Sequence, residues 1–340
     1  MIKLKEETGD PALLSLEEAK AEAKGEAKAG AEAGPENGPR PWEDLFGHQP
    51  VLREETLSAL EVRPDGLYVD ATLGGGGISR GILERLGPDG RLLALDLDPE
   101  PLEWAAEWGR GDPRLMLQRA NFRDLKKILQ KLSLGPADGL VADLGLSSRQ
   151  FLTAGRGFSF KRSGPLDMRI DPDSSVTAAD MVNGLDQVTL AKIIYEYGGD
   201  FHARRLARLI VERRGDKPFE TTDELAALAL RVGSGRGRHR LHPATRLFMA
   251  LRMAVNHETR SLAGLLSDAR GCLREGGRLL VISFQSEEDR LVKELFKGTE
   301  GGFKAIWKKS VTPSQEELGR NPRSRSARLR GGIALPVGEC

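Results

Sequence analysis

Cysteine is scarce in this 340-residue chain, with Cys272 and Cys340 as the whole complement. Two thiols cannot build a disulfide scaffold or a cysteine-rich zinc site, and they fit a reducing compartment, so the expected location is cytoplasmic. No apolar run approaches the length of a membrane span, and no membrane partner is expected. The five histidines, His48, His202, His239, His242 and His257, have no metal-ligand spacing, so no metal is assigned. An excess of charge is missing too. Lys and Arg number 51 against 50 Asp and Glu, a formal net charge of +1. Net charge by itself therefore argues for no partner, and only its distribution along the chain carries information.

The first forty residues differ in composition from the rest, with no apolar stripe between Ala19 and Gly34. Ala19 to Gly34 is almost entirely Ala, Glu, Lys and Gly, followed by Gly34-Pro-Glu-Asn-Gly-Pro-Arg-Pro41. This composition predicts a disordered tail and linker over 1–41. It has no apolar centre for a signal peptide and is too acidic for a mitochondrial presequence.

What the chain does contain is a strand running into glycines, Tyr68-Val-Asp-Ala-Thr-Leu-Gly-Gly-Gly-Gly77, and a second strand that ends in Asp96-Leu-Asp98. Glycine lacks a Cβ, so backbone at Gly74 to Gly77 can take positive φ and approach a ligand. Apolar spacing from Ile78 to Leu86 makes the turn the start of a helix. A dinucleotide fingerprint asks for Gly-x-Gly-x-x-Gly. Here Gly74 and Gly76 are followed by Ser79, and the third position fails. An S-adenosylmethionine turn fits better, with Asp70 on the first strand, small residues through the turn, and Asp96 placed to accept the ribose hydroxyls. A glycine-rich connection with no ligand is the bland alternative.

Strands and helices alternate from residue 48: a short helix at 54–60, strands at 67–71, 91–96, 114–119 and 138–143, and helices between them. This is an α/β parallel-sheet pattern, whose ligands bind beyond the carboxyl ends of the strands. Asp70, Asp96, Asn121-Phe122 and Asp143 all fall there. Between about 150 and 243 no convincing strand is found. Asp186 can cap a helix from Val188 to Tyr197, Phe201 to Arg214 follows, and Thr221-Thr-Asp-Glu224 reads as a capping box. A helix over Ala244 to Glu258, another over Leu262 to Leu273, and the buried strand ending Leu279-Leu-Val-Ile-Ser-Phe284 resume the sheet.

The runs His48-Gln-Pro-Val51, Asp70-Ala-Thr-Leu-Gly-Gly-Gly-Gly77, Asp143-Leu-Gly-Leu-Ser-Ser148 with Gln150, Arg156-Gly-Phe-Ser-Phe160, Gly164-Pro-Leu-Asp-Met-Arg169, His242-Pro-Ala-Thr-Arg246 and Asn321-Pro-Arg-Ser-Arg-Ser326 together resemble the bacterial 16S ribosomal RNA cytosine-N4 methyltransferases, the MraW family. The match runs in order from about 45 to 331. The resemblance implies an α/β class I S-adenosylmethionine-dependent methyltransferase with a Rossmann-like sheet and an inserted α-helical domain. The expected partition is a discontinuous methyltransferase domain at 42–150 and 243–331, a substrate-recognising helical insertion at 151–242, and a C-terminal tail at 332–340. It further implies methylation of the exocyclic amine of a decoding-region cytidine in 16S rRNA of the small ribosomal subunit, and it leaves a homodimer open.

Carried over residue by residue, S-adenosyl-L-methionine contacts fall at Gly76, Gly77, Ile78, Asp96, Phe122, Asp143 and Gln150. Asp96 suits the ribose diol, Phe122 offers a face to adenine, and Asp143 and Gln150 can hydrogen-bond the methionine end or the incoming base. Methyl transfer is an in-line attack on a sulfonium methyl, in which alignment and desolvation do most of the work. Cytosine N4 is a poor nucleophile because its lone pair is delocalised. An acceptor that holds one N4 hydrogen would favour the reactive geometry, and Asp143 is the candidate catalytic residue, with Ser147 and Ser148 shaping the pocket.

Arginines supply the nucleic-acid signature. Arg320, Arg323, Arg325, Arg328 and Arg330 cluster near the C-terminus, and Arg204, Arg205, Arg208, Arg213, Arg214, Arg236, Arg238 and Arg240 lie in the insertion. Arg169, Arg246, Arg323, Arg325 and Arg328 are the RNA-binding candidates. The chain departs from the family pattern at Ile78 and Gln285, where histidine is usual, and at Arg149, where proline is. These departures predict slower or altered turnover. They also define the alternatives: a weakened or inactive copy acting as an RNA-binding assembly factor, or an N4 methyltransferase on another nucleic acid.

Overall fold

The computed structural model describes residues 50–232 and 242–336. The expected tail over 1–41, and Arg236, Arg238 and Arg240, lie outside the described residues. In chain order the first half alternates through α1 (Arg53–Leu60), β1 (Leu67–Asp70), α2 (Gly77–Leu83), β2 (Arg91–Asp96), α3 (Pro99–Trp108), β3 (Leu115–Arg119), α4 (Leu125–Lys131) and β4 (Ala137–Asp143). Helices follow as α5 (Ser148–Leu152), α6 (Ala178–Gly184), α7 (Gln187–Gly198), α8 (Ala203–Asp216), α9 (Thr222–Val232) and α10 (Ala244–Val255). The chain then runs through α11 (Glu258–Cys272), β5 (Leu273–Ser283), α12 (Ser286–Leu295), β6 (Phe303–Ala305), α13 (Gln315–Arg320) and β7 (Arg328–Ala334).

The seven strands form one sheet in the order β3-β2-β1-β4-β5-β7-β6. The first five pair in parallel, and β7 runs antiparallel to β5 and β6. This is a Rossmann-like sheet, as the sequence leads one to expect. Both faces are covered, which is why the strands read as unbroken apolar runs. Alternate residues serve opposite faces. Leu93, Leu140, Leu279 and Val281 join one core cluster with Leu125, Leu265 and Val292, while Leu92, Val141, Leu280 and Ile282 join another with Leu57 and Ile82. Strand order reverses between β1 and β4, so the crevice for a ligand opens at the carboxyl ends of these two strands.

The expectation of a C-terminal tail from 332 needs correction, because β7 continues to Ala334 as an inner strand. Its sequence, Arg-Leu-Arg-Gly-Gly-Ile-Ala, hides the strand, since Gly is a poor strand former and two arginines look solvated. The glycines are needed for close packing. A Cβ at Gly331 would lie 2.5 Å from Leu280, and one at Gly332 would lie 2.5 Å from Phe296.

The chain divides into two compact units, Trp42–Ser147 with Thr259–Cys340 carrying the sheet, and Ser148–Glu258 carrying helices. The expected return to the sheet domain at 243 is therefore displaced. α10 belongs with the helices, burying Leu247, Phe248, Ala250, Leu251 and Ala254. It packs chiefly on α7. Within the helical unit the Asp186 carboxylate accepts the amides of Val188 and Thr189 at 2.8 and 3.0 Å, an N-cap of the kind the sequence predicts. The Glu224 carboxylate reaches back to the amides of Glu220 and Thr221.

Candidate active site

The turn after β1 is built by reciprocal hydrogen bonds at the strand ends. The Asp70 carboxylate, buried, accepts from the Thr72 amide at 3.2 Å and from the Ser79 hydroxyl at 2.7 Å. It therefore ties the turn to the first residues of α2. The Gly74 amide donates to Asp96 Oδ2 at 2.9 Å, and the Asp98 amide donates to Asp96 Oδ1 at 3.0 Å. Asp96 thus acts through both carboxylate oxygens as an acceptor, the pair of acceptors that two adjacent hydroxyls require. Gly74 and Gly76 sit at φ +49° and +74°, where a side chain would be strained.

Two glycines have a further reason that sequence reasoning missed. A Cβ at Gly77 would stand 2.0 Å from Pro50, and one at Gly76 would stand 3.0 Å from the Trp108 indole. Those positions are small because protein packs there. Gly74 has only the Thr72 carbonyl within 4 Å of a hypothetical Cβ, so its need is conformational. Ile78 is 4% exposed and sits in the apolar cluster with Leu57, Leu60 and Ile82. Its side chain serves the core, which leaves backbone as the part of Ile78 suited to a cofactor. Phe122 opens a short 3-10 turn after β3 and is only partly buried against the core. Asn121 holds that turn, accepting from the Arg123 amide and donating to the Ser261 hydroxyl at 3.1 Å.

Asp143 ends β4 with its amide donating to Thr72 Oγ1 at 2.6 Å. Its Oδ1 is shielded from solvent and has no hydrogen-bond partner among the described residues. A buried carboxylate oxygen in this condition is costly, and such cost is retained where a ligand completes the site. Burial pushes Asp143 up to about 8, with the charges of Asp70 and Glu288 adding to the shift. Burial likewise raises Asp70 to about 7, opposed by the Ser79 and Thr72 bonds. It raises Asp96 to about 6 against the amides of Gly74 and Asp98. Three acids at the ends of β1, β2 and β4 thus border one glycine turn. The set fits a nucleoside bearing a ribose diol and a cationic centre, as S-adenosyl-L-methionine does. Among the described residues no His, Cys, Asp and Glu group is arranged to hold a metal.

A family model described as the MraW methylase family matches residues 45–332. The chain belongs to the MraW methylase family. It is 46% identical over 301 residues to "Ribosomal RNA small subunit methyltransferase H" of Thermomicrobium roseum, covering 83% of this chain and 92% of that protein. It is likewise 46% identical over 285 residues to the protein of that name from Coprothermobacter proteolyticus, covering 83% of this chain and 94% of the relative.

In this MraW methylase, Gly76, Gly77, Ile78, Asp96, Phe122 and Asp143 fall in the sheet-bearing unit, whereas Gln150 is buried in α5 of the helical unit. Gln285, one of the departures, precedes α12, where the buried Glu288 carboxylate accepts the amides of Phe284 and Gln285, each at 3.0 Å. Thr72 and Glu288 are site residues that sequence reasoning did not single out. Thr72 lies inside the glycine motif already noted and Glu288 three residues beyond Gln285, and only their positions in space reveal the bonds they make.

The arginines divide by what holds them. Arg169 binds Asp167 through two nitrogens and the carbonyls of Pro172 and Ser174, so its guanidinium staples a loop. Arg330 is no surface cation: it pairs with Asp289 at 2.7 and 3.1 Å, each side chain 15% exposed. Arg320 pairs with Glu316. Arg214 caps the carbonyls of Val182 and Leu185, and Arg213 lies over the Phe219 ring. Arg323, Arg325 and Arg328 are exposed on the sheet-bearing unit, and Arg204, Arg205 and Arg246 are exposed on the helical one.

Proposed function

We propose that this MraW methylase transfers a methyl group from S-adenosyl-L-methionine to the exocyclic N4 of a cytidine in the decoding region of 16S rRNA, acting in the cytoplasm on the small ribosomal subunit. The observation that carries the reading is the unpartnered Asp143 oxygen beside the glycine turn and Asp96.

The cofactor, when bound, supplies a methyl group on a positively charged sulfur. Asp96 would hold its ribose hydroxyls, Phe122 its adenine face, and the backbone of Gly74 to Ile78 its remaining edge. Asp143 accepts one N4 hydrogen and turns the nitrogen lone pair out of conjugation with the ring. To accept it must be ionised, and a neighbouring positive charge favours that form. No general acid is required because a thioether leaves without a proton. The N4 proton lost after transfer can pass to Asp143 or to water. A target base in folded RNA must be splayed out to reach a strand-end crevice, and the helical unit is the substrate-recognising part. Neither the inactive-copy reading nor one with a different nucleic acid has an observation that favours it, since Ile78 is accommodated as core and Gln285 sits at a helix start.

Incubation of the purified protein and labelled S-adenosyl-L-methionine with small subunits lacking native methylation, followed by nucleoside mass spectrometry, tests this directly. N4-methylcytidine in decoding-region fragments is the expected product. Cofactor binding with no transfer to any RNA would overturn the reading.

A further inference from the structure

At one corner of the helical unit, aromatic and cationic side chains stand together in solvent. α7 and α8 are joined only by residues 199–202 and pack on each other, so the last turn of α7 and the first turn of α8 lie at the same end of the pair. Tyr195 in that last turn is 56% exposed, and Phe201 in the connection is 84% exposed. Arg204 and Arg205 are exposed in the first turn of α8, because this helix buries Ala203, Leu206, Ala207 and Ile210 on its other side. That first turn contains no acid. Exposed Arg246 of α10 reaches the same connection, donating from Nη1 to the Gly199 carbonyl at 3.1 Å. The approach is close. A Cβ at Gly198 would lie 2.7 Å from the Arg246 carbonyl oxygen.

Nothing in folding calls for a phenylalanine in this position, since its ring gains no burial. Aromatic faces set among guanidinium groups match a strand whose bases stack and whose phosphates need neutralising. Duplex RNA keeps its base faces covered and has no use for Phe201. A second copy of this chain would set the same arginines against themselves across a two-fold axis, which their charge opposes. We infer that this corner holds an unpaired stretch of RNA, with bases stacked on Phe201 and Tyr195 and phosphates on Arg204, Arg205 and Arg246. The inference rests on RNA being the substrate and assigns that recognition to particular side chains.

The test uses the full chain with a short fluorescein-labelled single-stranded RNA, and the same sequence as a duplex, read by anisotropy over a salt series. Phe201 is solvated, so Phe201→Ala leaves the fold intact, and Phe201→Trp keeps a stacking surface. Phe201→Ala is expected to weaken single-strand binding roughly 5- to 100-fold. Phe201→Trp should bind as the parent does, and duplex affinity should move little in either variant. Arg204→Ala and Arg205→Ala should each reduce the slope of log K against log salt by about 0.7. S-adenosyl-L-methionine affinity, measured by calorimetry, should stay constant throughout. If the parent methylates small subunits and Phe201→Ala binds the single strand equally well, the corner is not an RNA contact, and the functional reading stands without it. If Phe201→Ala abolishes self-association in sedimentation with RNA affinity unchanged, the corner joins two copies of the chain and the inference fails. If the parent neither binds RNA nor methylates subunits, the functional reading itself falls.

Discussion

Replacing Asp143 with Asn should make the protein more stable and less active, with the gain in stability growing as pH rises. The folded state raises this carboxyl from 3.8 to about 8, so it binds a proton more tightly folded than unfolded. The stability that proton confers is fully present below the unfolded value and is lost as pH climbs towards 8. Between pH 5 and pH 8 the lost stabilisation amounts to about 4 kcal/mol, at 1.36 kcal/mol per pH unit. Local relaxation and the shared titration of Asp70 make this an upper bound. The amide that replaces the carboxyl has no proton to lose in this range. Asp143→Asn should therefore unfold in urea with a free energy about 2–4 kcal/mol above the parent at pH 8, and with little advantage at pH 5. Turnover on small subunits should fall about 100-fold, the scale of losing a positioned acceptor of the reacting group. The parent's kcat/KM should rise with pH towards a limb near 8, and the Asn variant should lack that limb. An equal stability gain at pH 5 and pH 8 would refute the burial argument. Parental turnover in the Asn variant would refute the role given to Asp143.

Asp96→Ala removes both acceptors suited to the ribose diol and should weaken S-adenosyl-L-methionine binding about 100-fold or more in calorimetry; unchanged affinity would place the ribose elsewhere. Arg330→Ala leaves Asp289 without its buried partner and should cost about 3 kcal/mol in urea denaturation, while affinity for single-stranded RNA stays at the parental value. Cys272, whose thiol burial pushes up to about 11, should resist a disulfide reagent at pH 8 in a Cys340→Ser background and react at once in denaturant. Rapid modification in the native state would show that the helix carrying Cys272 opens readily.

The glycine turn, its two acids and the helix caps were readable because their chemistry is local. Positive φ at Gly74, a capping carboxylate at Asp186 and an acid at the end of an apolar strand depend on neighbours within a few residues. Several features had no such signal. Gly76 and Gly77 are also required by Trp108 and Pro50, which are brought to them by the fold. The last residues of β7, from 332, read as a tail until Leu280 and Phe296 are placed over its glycines. α10 has the apolar face of a helix that packs on a sheet, yet that face meets other helices.

By itself, then, the order of residues determined the α/β class and the methyltransferase family, and it nominated the strand-end acids as candidates to meet a cofactor. These follow from periodicity, turn stereochemistry and motifs held in sequence order. The tertiary structure decided which arginines stand exposed and which are consumed by Asp167, Asp289 and backbone carbonyls. It also decided that the Asp143 Oδ1 has no hydrogen-bond partner among the described residues and that burial raises its carboxyl to about 8. Desolvation and ion pairing arise from groups far apart in the chain, so their outcome exists only once the strands and helices have been brought together.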